Sequence, residues 1–205
     1  MLAIVQEMQM TEVDPNSLRK APLEKEQVGE EDVALMSRVA AGEDSAMALL
    51  VDKWKRPLIR FFHRSLQSQA DAEELSQITF LKLYRAAERY QPTAKFSTYL
   101  FTIARRVLLD EIKRRARHPV DLIDPQDFRV NAEPEGKIRS FELEEALQQC
   151  LKKLPENQRT ALLLRVQREL AYEEIAAVMK ASHGSVKTWI HRARTHLREN
   201  LKQLL

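Results

Sequence analysis

Apolar side chains recur every three or four positions over most of this chain, the spacing of helices that bury one face. Two such runs occupy residues 31–54 and are separated by a break at Gly42. A third run extends over about residues 71–89, and its acidic first turn suits the positive end of a helix. A fourth occupies residues 96–117. The sequence between these last two, YQPTAK at residues 90–95, contains a proline that interrupts the pattern and is predicted to form a loop.

The character of the chain changes at residues 118–137, where three prolines and a glycine accompany five acidic residues. This composition is typical of a flexible linker that DNA would repel. Helical spacing resumes at about Ile138, and Pro155 is predicted to occupy the first position of the next helix. Two shorter helical segments follow, at residues 171–179 and 182–201.

The predicted fold class is therefore all-α: two small helical domains joined by an acidic flexible linker. The first domain covers residues 31–117 and the second covers residues 138–205, with the linker at residues 118–137. Residues 1–30 show no sustained period and are predicted to be a flexible N-terminal extension.

The amino-acid composition is typical of a helical protein and also indicates its cellular compartment. Only 4 glycines and 8 prolines occur among 205 residues, and the abundant residues are strong helix formers. The single cysteine, Cys150, excludes an internal disulfide and fits a reducing cytoplasm. No stretch approaches the length of an apolar membrane span, and the start, MLAIVQEMQM, lacks the basic region of a signal peptide. The protein is predicted to stay in the cytoplasm without inserting into a membrane.

Residues 171–201 have the pattern of a helix-turn-helix. The short amphipathic segment YEEIAAVM is followed by Lys180 and Ala181, which leave only a tight turn before the last helix. Ser182 is predicted to cap that helix. On a helical wheel its apolar residues face inward, at Val186, Ile190, Ala193, Leu197 and Leu201. Small polar and basic residues point the opposite way, which suits entry into a DNA major groove with phosphate contacts beside it.

A simpler interpretation remains open for this segment alone: a packed helical hairpin with a solvated basic face. Two histidines, His191 and His196, stand five positions apart and so fall on different faces, which favours solvated side chains over metal ligands. No metal and no cofactor is predicted.

Basic residues also gather in the fourth helical run, YLFTIARRVLLDEIKRRAR. Its inward stripe is apolar, so the positive charge is predicted to lie on an exposed surface that attracts phosphates. Tyr99 and Phe96 lie at its start, where aromatic rings beside a basic groove stack on unpaired bases, although Phe96 is also spaced for the core.

The third run combines an acidic opening with a long apolar stripe. Its helical spacing continues through the apolar residues Leu75, Ile78, Leu81, Leu83 and Tyr84. The polar residues that open it, Asp71, Glu73, Glu74 and Gln77, lie on a different side and suit a protein partner better than DNA; ordinary solvated acids are the alternative.

Taken in order, these segments resemble an extracytoplasmic-function sigma factor of the bacterial sigma-70 family. The resemblance rests on DAEELSQITFLKLYRA, KFSTYLFTIARRVLLDEIKRRAR and, after the linker, LPENQRTALLLR and ELAYEEIAAVMKASHGSVKTWIHRARTHLR. It covers roughly residues 32–117 and 138–203. Two motif blocks in the right order make it more specific than a lone helix-turn-helix.

The resemblance implies an RNA polymerase sigma factor, not an enzyme, that binds core RNA polymerase, recognises promoter −10 and −35 elements and promotes DNA melting. The residues that match the polymerase-binding helix are Asp71, Glu73, Glu74, Gln77 and Phe80. Those that match the −10 DNA-binding loop and helix are Gln91, Pro92, Thr93, Ala94, Lys95, Tyr99, Arg105, Arg106 and Lys113. Those that match the −35 recognition helix are His183, Ser185, Lys187, Thr188, Arg192 and Arg194. The family is also commonly held inactive by an anti-sigma factor, so such a partner is expected.

Five positions depart from the family pattern. Ile78 stands where an acid is usual, Arg106 where an asparagine is usual and Tyr99 where a tryptophan is usual. Ala171 replaces a capping Ser or Thr, a loss of about 1 kcal/mol of helix-start stability. Trp189 replaces a common arginine at the edge of the inward stripe, where it is expected to pack.

Two other functions would each explain only part of this pattern. A free-standing helix-turn-helix regulator explains residues 171–198 but leaves the first block without a role. An all-α adaptor that binds only proteins explains the acidic residues but not the two basic helices. A hydrolase or transferase activity is not indicated, because the sequence contains no glycine-rich phosphate loop, no metal-ligand spacing and no nucleophile with a base nearby in the pattern.

Overall fold

The structure, a computed structural model, describes the backbone of residues 22–117 and 135–202, and the side chains of residues 30–117 and 142–202. Within these ranges the chain forms α-helices and one 3-10 turn but no strand, which confirms the all-α prediction. The helices are α1 (Pro22–Ala40), α2 (Asp44–Leu66), α3 (Gln69–Arg85), α4 (Phe96–Arg117), α5 (Glu135–Lys153), α6 (Glu156–Arg168), α7 (Tyr172–Met179) and α8 (His183–Leu201). None of these helices is both long and apolar enough to cross a membrane.

The N-terminal unit, α1 to α4, packs around a cluster of aromatic rings. Trp54, Phe61 and Phe62 come from α2, and Phe96 and Phe101 come from α4. The Phe61 and Phe101 rings meet edge to face with centroids 5.4 Å apart, and the Trp54 and Phe96 centroids lie 5.7 Å apart. Such ring pairs contribute about 0.5–1.5 kcal/mol each beyond the area they bury. The cluster therefore fixes the position of α4, the predicted −10 helix, against α2.

The helices of this unit are joined by tight turns, which contain residues with positive φ angles and a side chain that caps the next helix. Gly42 ends α1 with a φ of +85°, a conformation that glycine adopts without strain. Gln67 ends α2 in the left-handed region with a φ of 59°, and its N–H donates to the His63 carbonyl at 2.7 Å. The Ser68 side chain then accepts the Asp71 N–H at 3.3 Å and caps α3.

Several predicted helix boundaries differ from those of the structure by one to nine residues. The first helix begins at Pro22 and not at Glu31, because a proline at the first helical position loses no hydrogen bond. The fifth helix begins at Glu135, inside the predicted linker, while α3 ends at Arg85 and is followed by a 3-10 turn. Pro155 is the N-cap residue and α6 begins after it. The predictions for residues 1–21, 118–134 and 203–205 lie outside the described residues.

The C-terminal unit, α5 to α8, packs directly on the N-terminal unit. Helix α7 lies against α4, and α5 and α6 lie against α2. The largely buried Arg64 guanidinium of α2 lies 2.8 Å from a Glu144 carboxylate oxygen of α5. The Gln67 side chain also donates to the Gln148 carbonyl. The expected pair of tethered domains is thus present as two units in contact, and buried residues of both belong to one hydrophobic cluster.

Candidate nucleic-acid and polymerase interfaces

Helix α8 buries the predicted apolar stripe and presents the opposite face to solvent. Val186, Ile190, Ala193, Leu197 and Leu201 are all buried. As predicted, the Ser182 side chain caps the helix, accepting the Ser185 N–H at 3.1 Å. A side chain at Gly184 would meet open space, so a groove could approach the first turn closely. The sequence pattern alone was sufficient to orient this helix.

The predicted −35 residues lie together on the outward side of α8. His183, Lys187, Thr188 and Arg192 are exposed, while Ser185 and Arg194 are half-buried. Of these, His183 also reaches α7: its Nε2 lies 3.3 Å from a Glu173 carboxylate oxygen. Thr188 is held by donating its hydroxyl to the Gly184 carbonyl at 2.9 Å. Trp189 packs partly buried against the core, as predicted.

The turn between α7 and α8 is tight, with Lys180 in the left-handed region at a φ of 50°. At the other end of α7, Ala171 is the N-cap and has no side chain that could accept a hydrogen bond. The Glu174 carboxylate compensates in part, because its Oε2 accepts the Ala171 N–H at 2.7 Å. This is the carboxylate half of a capping box. The helix-turn-helix is therefore capped at both of its helices despite the missing hydroxyl.

The predicted −10 residues are divided between an exposed loop and a partly covered helix. Gln91, Pro92, Thr93, Ala94 and Lys95 are all exposed, and Arg106 and Lys113 are exposed on α4. Tyr99 is half-buried, with its ring centroid 4.9 Å from that of Tyr90. Burial raises the pKa of the Tyr99 phenol, so it stays neutral. Phe96 is fully buried, so it supports the loop from the core instead of offering a face to a base.

Arg105 departs most from the sequence prediction. Its side chain is only 14% exposed, because α6 covers it. One guanidinium nitrogen donates to the Asn157 side-chain oxygen at 3.2 Å and lies 3.7 Å from a Glu156 carboxylate oxygen. The sequence predicted an open phosphate-attracting surface here, and the contact with α6 arises from tertiary packing that local periodicity does not encode.

Two further arginines of α4 are also less free than the sequence suggested. The buried Glu111 carboxylate accepts hydrogen bonds from Arg114 at 2.8 and 2.9 Å and from Arg115 at 2.7 Å. The Arg114 hydrogen bonds, together with those from Arg115, lower the pKa of Glu111 against the opposing effect of burial. Arg115 also lies 2.6 Å from Asp71 of α3. These arginines tie α4 to itself and to α3, and Arg106, Lys113 and Arg117 are exposed on the same helix.

The predicted polymerase-binding residues of α3 separate into two groups. Glu73, Glu74 and Gln77 are exposed, whereas Asp71 is half-buried in its ion pair with Arg115 and Phe80 lies in the core. Ile78 is partly buried against the core.

Sequence reasoning missed two apolar residues on the exposed side of α3. Leu81 and Tyr84 belong to the apolar run of this helix in the sequence, but in the structure they are 56% and 47% exposed. Helix α3 already buries Ala72, Leu75, Ser76, Thr79, Phe80 and Leu83, which fills the inward stripe. Leu81 and Tyr84 follow Gln77 at four and seven positions, so they extend its face. The helical spacing of Leu81 and Tyr84 from Gln77 was the sequence signal that could have placed them on this exposed side of α3.

Among the residues that the structure describes, no three His, Cys, Asp or Glu side chains are grouped so that they could hold a metal ion. The chemistry available at these surfaces is hydrogen bonding, ion pairing and stacking. Those are the interactions that bind nucleic-acid backbones, unpaired bases and protein partners.

Family models match both units. The model described as Sigma-70 region 2 matches residues 50–118, and that described as Sigma-70, region 4 matches residues 144–197. The chain is 32% identical over 186 residues to the RNA polymerase sigma-H factor of Pseudomonas aeruginosa, covering 86% of this chain and 96% of that protein. It is 30% identical over 184 residues to the ECF RNA polymerase sigma-E factor of Escherichia coli, covering 85% of this chain and 96% of that protein.

Solved structures share the fold. CnrH in complex with the cytosolic domain of CnrY matches with a TM-score of 0.64 and 24% identity, over 84% of this chain and 98% of that one. The sigma factor RpoE from Bartonella quintana, in complex with the anti-sigma factor NepR, matches with a TM-score of 0.63 and 24% identity, over 76% of this chain and 96% of that one. Through its two consecutive family regions and relatives matched over nearly their whole length, the chain belongs to the extracytoplasmic-function sigma factors of the sigma-70 family.

Proposed function

We propose that this sigma factor divides its work between three surfaces. As a member of its family it directs RNA polymerase to promoters and takes part in transcription initiation. The exposed side of α3 at Glu73, Glu74 and Gln77 docks on core polymerase. The loop at residues 91–95 with α4 binds the −10 element, and the outward side of α8 binds the −35 element.

The observation that carries the assignment of α8 is its division into two faces. Five apolar residues are buried on one side, while the six predicted −35 residues are exposed or half-buried on the other. A basic recognition helix after a tight turn is the geometry that enters a major groove, with short polar groups near bases and cations near phosphates.

At the −10 element the protein does no covalent chemistry. The exposed loop captures an extruded base, whose unstacking costs a few kcal/mol, and Tyr99 and the basic residues of α4 hold the single strand. Melting is then the capture of open DNA, because the open state gains contacts that the duplex does not make. We place the protein in the cytoplasm, where an anti-sigma factor that covers its DNA-binding surfaces would hold it inactive.

The test is run-off transcription with purified core polymerase and DNA fragments recovered from cells with the tagged protein. Promoter-dependent transcripts that need the added chain support the proposal. A regulator that binds duplex DNA without polymerase, or an adaptor that binds only proteins, would yield none.

A further inference from the structure

A small cavity between α2 and α6 is lined mainly by cationic side chains. Its volume is about 180 Å³, and its lining residues are Arg56, Pro57 and Arg60 of α2 with Gln167 and Arg168 of α6. Arg56 and Arg60 are exposed, so the cavity is open to solvent on the side of α2, whereas Gln167 and Arg168 are half-buried. None of these residues belongs to the polymerase, −10 or −35 surfaces proposed above, so the cavity is a separate feature of the molecule.

The positive charges at this cavity are not balanced by acidic partners. In the part of the chain that the structure describes, no carboxylate forms an ion pair with Arg56, Arg60 or Arg168. Arg56 and Arg60 stand one turn apart on α2, where like charges repel. Burial lowers the pKa of the Arg168 guanidinium and the charge of Arg60 lowers it further, while Glu169 and Asp32 act in the opposite direction. A bound anion would relieve this repulsion.

The two α6 residues of the cavity also carry polar atoms with unmade hydrogen bonds. The Gln167 Nε2 and Oε1 and the Arg168 Nε are buried and have no hydrogen-bond partner among the described protein atoms. Buried polar groups nearly always have a partner, and leaving one without is costly. The Arg168 guanidinium is held in place by stacking, since its carbon lies 4.8 Å from the Trp54 ring centroid and 5.6 Å from that of Phe101. A ligand here would meet a positioned guanidinium and an amide that both donates and accepts.

The charge, the donors and the volume of the cavity indicate the chemistry of such a ligand. Guanidinium groups donate paired N–H bonds that match phosphate oxygens. A single phosphate monoester carries a charge of about −1.5 to −2 at neutral pH, which is less than the charge of the three arginines. Pockets for drug-sized ligands occupy about 300–1,000 Å³, so this smaller cavity suits a compact group. A diphosphate group is compact, carries more negative charge, and has oxygens that accept and a hydroxyl that donates when it is partly protonated.

We propose that the cavity between α2 and α6 is a binding site for a small molecule that carries a diphosphate group, held by Arg56, Arg60 and Arg168. Because the lining comes from both helices, the bound group contacts the N-terminal and C-terminal units at once. Inorganic diphosphate and a nucleoside diphosphate share this chemistry, and the experiment distinguishes them. The site goes beyond the promoter and polymerase assignments above and does not depend on them.

The test is isothermal titration calorimetry of inorganic diphosphate into the full chain, at constant ionic strength and without divalent cations. Arg56→Gln with Arg60→Gln removes two charges of the cavity, and both residues are exposed, so the variant should keep native helicity by circular dichroism. Arg85→Gln with Arg89→Gln is the matched control, because these exposed arginines also stand four positions apart but lie at the end of α3 and in the 3-10 turn. Sulfate measures the general attraction of the chain for anions.

The wild type and the control variant should bind one diphosphate per chain, and more tightly than sulfate. The cavity variant should bind diphosphate about tenfold or more weakly, since the hydrogen bonds from two charged groups are lost. If the wild type shows no saturable binding, or if the two double variants have equal affinities, the proposed site is overturned.

Two further titrations identify the source of the diphosphate group. Adenosine and guanosine diphosphate are titrated into the same three proteins. Binding tighter than that of inorganic diphosphate assigns the site to a nucleotide, and equal or weaker binding assigns it to free diphosphate. A fluorescein-labelled oligonucleotide of twelve thymidines, followed by anisotropy, tests for a nucleic-acid backbone in the cavity. If its affinity falls in the cavity variant while that of diphosphate does not, the proposal of a small-molecule site is rejected.

Discussion

Replacement of Arg192 by alanine tests whether α8 contacts DNA phosphates. Arg192 is exposed on the outward side of α8, between the buried Ile190 and Ala193. Its removal should leave the fold intact and change the free energy of unfolding by less than about 0.5 kcal/mol. A phosphate contact contributes about −0.9 to the slope of the logarithm of the binding constant against the logarithm of salt concentration. The variant should therefore have a slope shallower by about one unit.

The same contact has a measurable effect on affinity. A fourfold rise in salt, from about 50 to about 200 mM, weakens binding by about 3.5-fold for each phosphate contact. The wild type should lose that much more affinity than Arg192→Ala over this range. The assay is anisotropy titration of a labelled −35 duplex at several salt concentrations, with circular dichroism to confirm native helicity.

Lys202→Ala is the matched control for this experiment. Lys202 is an exposed cation that follows the last residue of the same helix, about 15 Å along the axis from Arg192. The Lys202→Ala substitution also removes one positive charge, and this variant should keep the wild-type dependence of binding on salt concentration. A wild-type slope for Arg192→Ala, with native helicity, would refute the assignment of Arg192 to the phosphate contacts.

Three further predictions concern the other parts of the molecule. Glu74→Ala with Gln77→Ala should reduce affinity for core polymerase at native helicity, measured by co-sedimentation; retained affinity would move the docking surface elsewhere. Leu81→Ser should weaken the same complex and Leu49→Ser, at 51% exposure on α2, should not; equal effects would exclude a specific apolar contact. Glu111→Gln should lower the free energy of unfolding at pH 7 by about 1–3 kcal/mol, because it weakens charged hydrogen bonds from Arg114 and Arg115. Since the pKa of Glu111 is lowered in the folded state, its stabilisation is complete above the ordinary carboxyl pKa and is lost as pH falls. The difference between variant and wild type in urea unfolding should shrink at acidic pH, and a constant difference would contradict this account.

The parts of the fold that sequence predicted well are those with local signals. The limits of α4 and α8 followed from apolar spacing together with a proline-containing loop before one and a capping Ser182 before the other. The inward face of α8 followed in the same way. Each signal lies within a few residues of the feature that it determines, so no tertiary contact was needed.

The features that sequence did not reveal depend on residues far apart in the chain. The partners of Lys95 and Arg105 come from α7 and α6. Leu81 could be placed on the exposed side of α3 only by knowing which positions α2 and α4 already cover. A count of basic residues likewise could not show that Arg115 is engaged by Glu111 and Asp71.

Because Arg168 stacks on Trp54, the fluorescence of Trp54 can report on the contact between the two units. The sequence contains two tryptophans, and Trp54 lies where the two units meet whereas Trp189 lies on α8. Movement of the guanidinium away from the Trp54 indole would alter the polarity around that ring, and so its emission. With Trp189 replaced by phenylalanine, the remaining signal would follow the separation of the units in real time, without any attached dye.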